Sequence, residues 1–198
     1  MYKLCKTEQS AARQRQLEQG LLQAMRTQQY EEISISDLCD RLEIPRKSFY
    51  RYFSSKDGAL AALLDHTLME FEQSPQNAVS AKRGTAIGDL ERYFAFWYER
   101  RDLLEALERS RLSGMLVERA TSHALHERLM PRYLQVKPEE IQSLALTFSV
   151  CGLLSMVLHW HQQGYKESPE TMAQVATMML TRPLIPGHTK DYAESAFV

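Results

Sequence analysis

The sequence is poor in residues that break or bend a chain, with eight Gly and seven Pro in 198 positions. β-Branched aliphatics are also scarce: Val and Ile together number 13, against 26 Leu. Both shortages disfavour sheets and predict a mostly or wholly helical, all-α chain. Cysteine is nearly missing. Cys5, Cys39 and Cys151 are odd in number and far apart, which suits neither a disulfide framework nor a clustered zinc site. They read as reduced thiols of a cytoplasmic protein. Charge of one sign is missing too, since 24 Lys and Arg oppose 25 Asp and Glu. With 44% hydrophobic and 25% charged residues the composition is globular and excludes disorder.

Residues 1–20 are polar and hold no apolar signal-peptide core. One run does lack charge: 141–165 contains no Asp, Glu, Lys or Arg. That is longer than the ~20 residues a bilayer span needs. It nevertheless carries Gln142, Ser143, Thr147, Ser149, Ser155, His159, His161, Gln162 and Gln163. Such polarity is costly in lipid, so the run predicts a buried or subunit-contact helix and no membrane partner.

Caps and breakers divide the chain into helices. Residues 7–28 carry Leu17, Leu21, Leu22 and Met25 on one stripe. Ser34, with Asp37 three residues on, forms a capping box that starts a short helix ending near Leu42. Pro45 pushes Ile44 out of helical geometry and places a turn at 42–45. Further helices are expected over 46–52 and from Lys56 toward Phe71. The stretch 73–88 reads as a connector, followed by helices at 89–109, 112–130, 138–164 and 169–181. Breaks are expected at Gly114, at 131–138 and at 164–169. The expected division is one domain over 1–72, a second over 73–181, and a flexible tail over 182–198.

Residues 34–60 carry a chemical message. Two short helices joined by a four-residue turn, with Leu38, Leu42, Ile44 and Phe49 available to close over one another, make a helix-turn-helix by spacing. Its second helix presents Arg46, Lys47, Ser48, Tyr50 and Arg51, all able to donate hydrogen bonds to phosphates or base edges. Lys56 opens the next helix, where a cation suits a DNA phosphate better than it suits the helix dipole. Residues 46–56 hold four cations and no acid, although such clusters are often only solvated faces.

Leu38-Cys39 through Ile44, then Ser48-Phe49-Tyr50-Arg51-Tyr52-Phe53, Ser55-Lys56-Asp57 and Leu60 carry a family signature. In these residues the chain resembles the tetracycline-repressor (TetR) family of bacterial regulators, with motif-level similarity over roughly residues 10–65. The resemblance implies that Ser34, Ser48, Tyr50, Tyr52 and Lys56 contact phosphates or the groove. It implies that Arg46 and Lys47 read base identity, and that Phe49 and Phe53 pack. Three positions depart from the pattern. Glu43 replaces the usual turn Gly, Pro45 replaces a capping Ser or Thr, and Lys47 replaces a small residue.

The resemblance also implies an effector pocket and a two-fold dimer in the remaining helices. Phe94, Trp97 and Tyr98, with Met115, Met156 and Trp160, could line a pocket for a mainly apolar or aromatic molecule, with Tyr98 and His159 as polar handles. Taken one at a time, each reads first as core. Ala145, Ser149 and Gly152 put small side chains on one face of the uncharged helix, and 169–181 adds Met172, Val175, Ala176, Met179 and Leu180. These two helices are the expected homodimer contact. Neither His123 with His126 nor His159 with His161 has companions at metal spacing, so no metal is expected. No hydrolase, nucleotide or dinucleotide motif is present, so neither an enzyme nor a cofactor has a foothold. The expectation is a cytoplasmic repressor that leaves a palindromic double-stranded operator when a small molecule binds. The competing reading is a co-activator or interaction module that meets a regulatory protein through its C-terminal helices.

Overall fold

The computed structural model describes residues 2, 5, 7–73, 85–127 and 141–181. Among them are nine α-helices and no strand beyond an isolated antiparallel bridge between Tyr2 and Phe53. Helix α1 (Glu8–Met25) starts on Thr7, whose hydroxyl accepts the Ser10 N–H. A 3-10 turn at Tyr30–Glu32 leads to α2 (Ile35–Arg41), α3 (Arg46–Tyr52) and α4 (Lys56–Gln73). Gly20 lets α2 approach α1, because a Cβ there would lie 2.5 Å from Leu42 Cδ1. Helix α4 is buried on nearly every side from Gly58 to Asp65, since α1 covers one flank and α7 (Ser113–Glu127) the other.

The larger bundle adds α5 (Ala86–Glu99), α6 (Arg101–Arg109), α8 (Gln142–Gln162) and α9 (Pro169–Thr181). Helix α9 lies along α5, and α8 packs on α6 and α7. The single helix expected over 89–109 is two. It breaks at Arg100, whose guanidinium stacks 3.5 Å from the Phe96 ring, caps the Phe96 carbonyl and pairs with Glu70 at 3.1 Å. No Gly or Pro marks that break. The next falls at Arg111, at φ 56, with Leu112 N–H reaching back to the Leu107 carbonyl at 2.7 Å. Gly114, expected to make this break, lies inside the first turn of α7. The expected break at 131–138 and the expected tail lie outside the described residues, as does most of the 73–88 connector; Thr85 caps α5 by accepting the Gly88 N–H.

A polar seam joins α1, α4 and α7. Asp65, 8% exposed, takes both arms of Arg119, with Nε at 2.5 Å, and accepts the Tyr2 hydroxyl at 2.6 Å. Glu18, 1% exposed, meets His66 Nδ1 at 2.9 Å. The Asp65 carboxylate beside Arg119 raises the pKa of the guanidinium, and burial followed by the Asp65 hydrogen bond raises that of Tyr2. Removing one partner of such a pair leaves a buried charge, at a cost of about 3–5 kcal/mol.

Candidate nucleic-acid interface

The interface is built from the turn between α2 and α3. Ser34 caps α2 by accepting the Asp37 N–H at 3.0 Å, as the capping box requires. The chain then reverses through Glu43 at φ 54, a left-handed conformation that favours Gly. Ile44 N–H bonds the Cys39 carbonyl at 2.9 Å, and Pro45 takes the N-cap position of α3, its carbonyl accepting Ser48 N–H at 2.7 Å. Leu38, Cys39, Ile44 and Phe49 are buried between the two helices, and Phe49 packs 5.2 Å from Phe53. Burial pushes the Cys39 thiol pKa up, so this cysteine is packing material.

With Phe49 and Tyr52 facing inward, the opposite side of α3 faces solvent. Arg46, Lys47, Tyr50 and Arg51 are exposed, and Ser48 is half-buried at their edge. Tyr50 is 49% exposed although its ring leans edge-on against Phe49 at 5.6 Å. Ser34 is exposed, its hydroxyl already engaged in the cap. Tyr52, expected as a DNA contact, is instead 7% exposed and packs on Phe53, because the helical period turns it with Phe49 toward the core.

Lys56 is also placed differently from a free phosphate ligand. Its ammonium donates to the carbonyls of Tyr30, Ile33 at 2.8 Å and Glu31 at 3.3 Å, and lies 4.3 Å from the Tyr30 ring centre. An ammonium has three donors, and all three are taken.

The expected effector residues divide. Phe94, Trp97 and Trp160 are buried; Phe94 meets Trp160 edge-on at 5.9 Å, and Trp160 Nε1 donates to the Glu167 carbonyl. Trp97 Nε1 is buried with no hydrogen-bond partner among the described residues. Met115 and Met156 are partly buried against the same core. Tyr98 is 40% exposed, in contact with Trp160 and Tyr165. His159 is exposed and does not join them, because it stands on the opposite face of α8 from Val157 and Trp160. Among the described residues no group of three His, Cys, Asp or Glu could hold a metal. His123 bonds Glu72, and His161 lies between Glu108 and the Tyr165 hydroxyl.

The small face expected on α8 is split. Ser149 is buried and its hydroxyl donates to the Ala145 carbonyl, whereas Gly152 is open to solvent. The sequence reading missed the apolar part of that open face: Ile141, Leu144 and Phe148, the last two 69% and 61% exposed. Their spacing of three and four was readable as a helical stripe. Met178 and Met179 of α9 and Leu125 of α7 are also exposed. Helix α8 is long and apolar enough to cross a membrane, but its other face is spent on α6 and α7.

Two family models match this chain. Residues 21–63 match bacterial regulatory proteins of the tetR family, and residues 89–182 match a transcriptional regulator C-terminal region. Solved structures share the fold, among them the following two. The dihydroxyacetone kinase operon activator DhaS superposes with a TM-score of 0.57 at 15% identity, covering 86% of this chain and 94% of its own. The fatty acid degradation regulator FadR from Bacillus halodurans gives 0.55 at 13% identity, covering 90% and 97%. No curated protein sequence matches the chain. Members of the matched family are DNA-binding proteins and generally not enzymes. The helix-turn-helix with its cationic outer face and the two family matches lead to one conclusion: the chain belongs to the TetR family of transcriptional regulators.

Proposed function

We propose that the protein is a homodimeric cytoplasmic repressor that binds a two-fold symmetric operator and leaves it when a small, mainly apolar molecule enters the helical bundle. The observation that carries DNA binding is the outward face of α3, where Arg46, Lys47, Tyr50 and Arg51 are exposed together and no acid interrupts them. In the groove, Arg46 and Lys47 would read base edges, while Ser34, Ser48, Tyr50 and Arg51 hold the backbone. Tyr52 would reach DNA only with the edge of a buried ring. Residues up to about 72 form the DNA-binding part in this reading, and α5 to α9 form the effector and dimer part.

The dimer is supported by Leu144 and Phe148, whose apolar surface is left uncovered by the chain's own helices. The effector is supported by Trp97, because a buried N–H without a partner costs ~1–3 kcal/mol that an acceptor atom on a ligand would recover. The sign of regulation is taken from the family resemblance; of the two solved neighbours, one is named an activator. Selecting bound duplexes from a random pool tests the central step. A dyad-symmetric consensus supports it, and the absence of any enriched sequence would refute it. A molecule that quenches Trp97 and Trp160 fluorescence should then raise the dissociation constant of the selected duplex. If α8 binds a different protein, the chain will be a monomer, and the interaction-module reading takes over.

A further inference from the structure

Tyr30 is held from four directions. It is 6% exposed; its N–H donates to Ser110 Oγ at 3.2 Å, its carbonyl accepts the Lys56 ammonium, its hydroxyl donates to Asp57 Oδ1 at 2.7 Å, and its ring carries the ammonium at 4.3 Å. Burial, then the hydrogen bond to Asp57, pushes the Tyr30 hydroxyl pKa up, which keeps it a donor. Lys56 also holds the carbonyls of Glu31 and Ile33. The residues so joined stand immediately before α2 and at the start of α4, so the helix-turn-helix lies between them as a loop closed at its base. Ser110, just past the end of α6, extends the closure to the bundle. A second tie lies beside it, where the Arg109 guanidinium donates to the Arg26 carbonyl at the end of α1, at 2.5 Å.

We infer that Lys56 serves DNA binding as a positioning residue, clamping the base of the helix-turn-helix through Tyr30, and that Ser110 ties this clamp to the bundle. The inference rests on the DNA-binding reading above. A phosphate contact and a clamp make opposite demands on one ammonium. The contact needs a free donor; the clamp uses all three. A clamp also fixes where α3 points, so its loss should harm the fit to one sequence more than the attraction to any duplex.

The experiment measures the full chain by fluorescence anisotropy on its selected duplex and on random duplex across a salt series. Lys56→Met keeps the stem and removes the donors. It should weaken the selected duplex by about tenfold, one charged hydrogen bond's worth, and leave random-duplex affinity and its salt slope unchanged. Equal loss on both duplexes, with the slope flatter by about one unit, would make Lys56 a phosphate contact and overturn the inference. Ser110→Ala removes the bundle tie at a residue outside the DNA-binding motif. It should produce a smaller, few-fold loss of the same selective kind, and wild-type behaviour would overturn the tie. Should Lys56→Met fail to fold, Lys56→Arg is measured instead. It keeps the charge but not the compact three-donor geometry. Selective loss supports the clamp, and unchanged discrimination overturns it. A wild-type chain that selects no duplex would instead fail the DNA-binding reading itself.

Discussion

Helices α3 and α8 each leave one face uncovered, and the two faces differ in kind. On α3 the exposed set is Arg46, Lys47, Tyr50 and Arg51; on α8, after Ile141 at its N-cap, it is Leu144 and Phe148, followed by Gly152, Ser155 and His159. Water solvates the first at little cost and the second at a penalty of ~1.5–3 kcal/mol per large side chain. A cationic face can therefore wait for its partner, whereas an apolar one calls for constant cover. In the proposed function, this difference lets the chain hold its dimer partner permanently and its DNA reversibly.

The two faces should differ most at Phe148. Phe148→Arg should dissociate the dimer by more than about a hundredfold, since each subunit loses a buried ring and gains a charge. Light scattering should then give the 22.9 kDa of one chain. The protomer should stay folded, its urea midpoint lowered only by the lost dimer linkage, because the side chain is 61% exposed in the protomer. Ser149→Arg would instead unfold the protomer, as that residue is buried inside it.

On α3, Arg46→Ala or Lys47→Ala should leave the dimer intact and reduce discrimination between the selected duplex and single-base variants by ~1–3 kcal/mol, read by competition binding. A uniform loss on every duplex would assign these side chains to the backbone. Smaller still is the effect of the turn that aims α3. Glu43→Gly relieves a left-handed backbone at φ 54 and should stabilise the fold by about 0.5–1 kcal/mol in urea unfolding, after the entropy that Gly adds to the unfolded chain. No gain would mean that a compensating contact holds Glu43 there.

Alkaline pH gives the mildest comparison. At the end of α8, burial pushes the Tyr165 hydroxyl pKa up to about 12 from its ordinary 10. A raised folded pKa means that the folded state holds its proton more tightly, so the stabilisation is complete below pH 10 and fades as pH rises toward 12. Tyr165→Phe should flatten the decline in unfolding free energy over that window while leaving the contribution of Tyr30, beside α4, in place.

Much of the fold was legible because local signals dominate in short capped helices. Ser34, Pro45 and the Leu stripes place α1 to α4 within a few residues. The breaks at Arg100 and Arg111 were not legible, since a guanidinium folding onto Phe96 and Glu70 is a tertiary event with no local breaker. The exposed part of α3 could be read from spacing alone. Tyr52 and Lys56 could not, because what decides them is which face meets Phe53 and which carbonyls lie near an ammonium. Small side chains on α8 suggested a contact face, but burial of Ser149 shows that small size is as useful within a protomer as between two.

The most direct test of the account is hydroxyl-radical footprinting of the intact protein on its selected duplex. A dimer presenting two α3 helices should protect two half-sites about one helical turn, or ~34–36 Å, apart, related by a dyad. The Phe148→Arg monomer should lose that paired protection at the same protein concentration. Protection of a single half-site with unchanged affinity in both proteins would contradict the account.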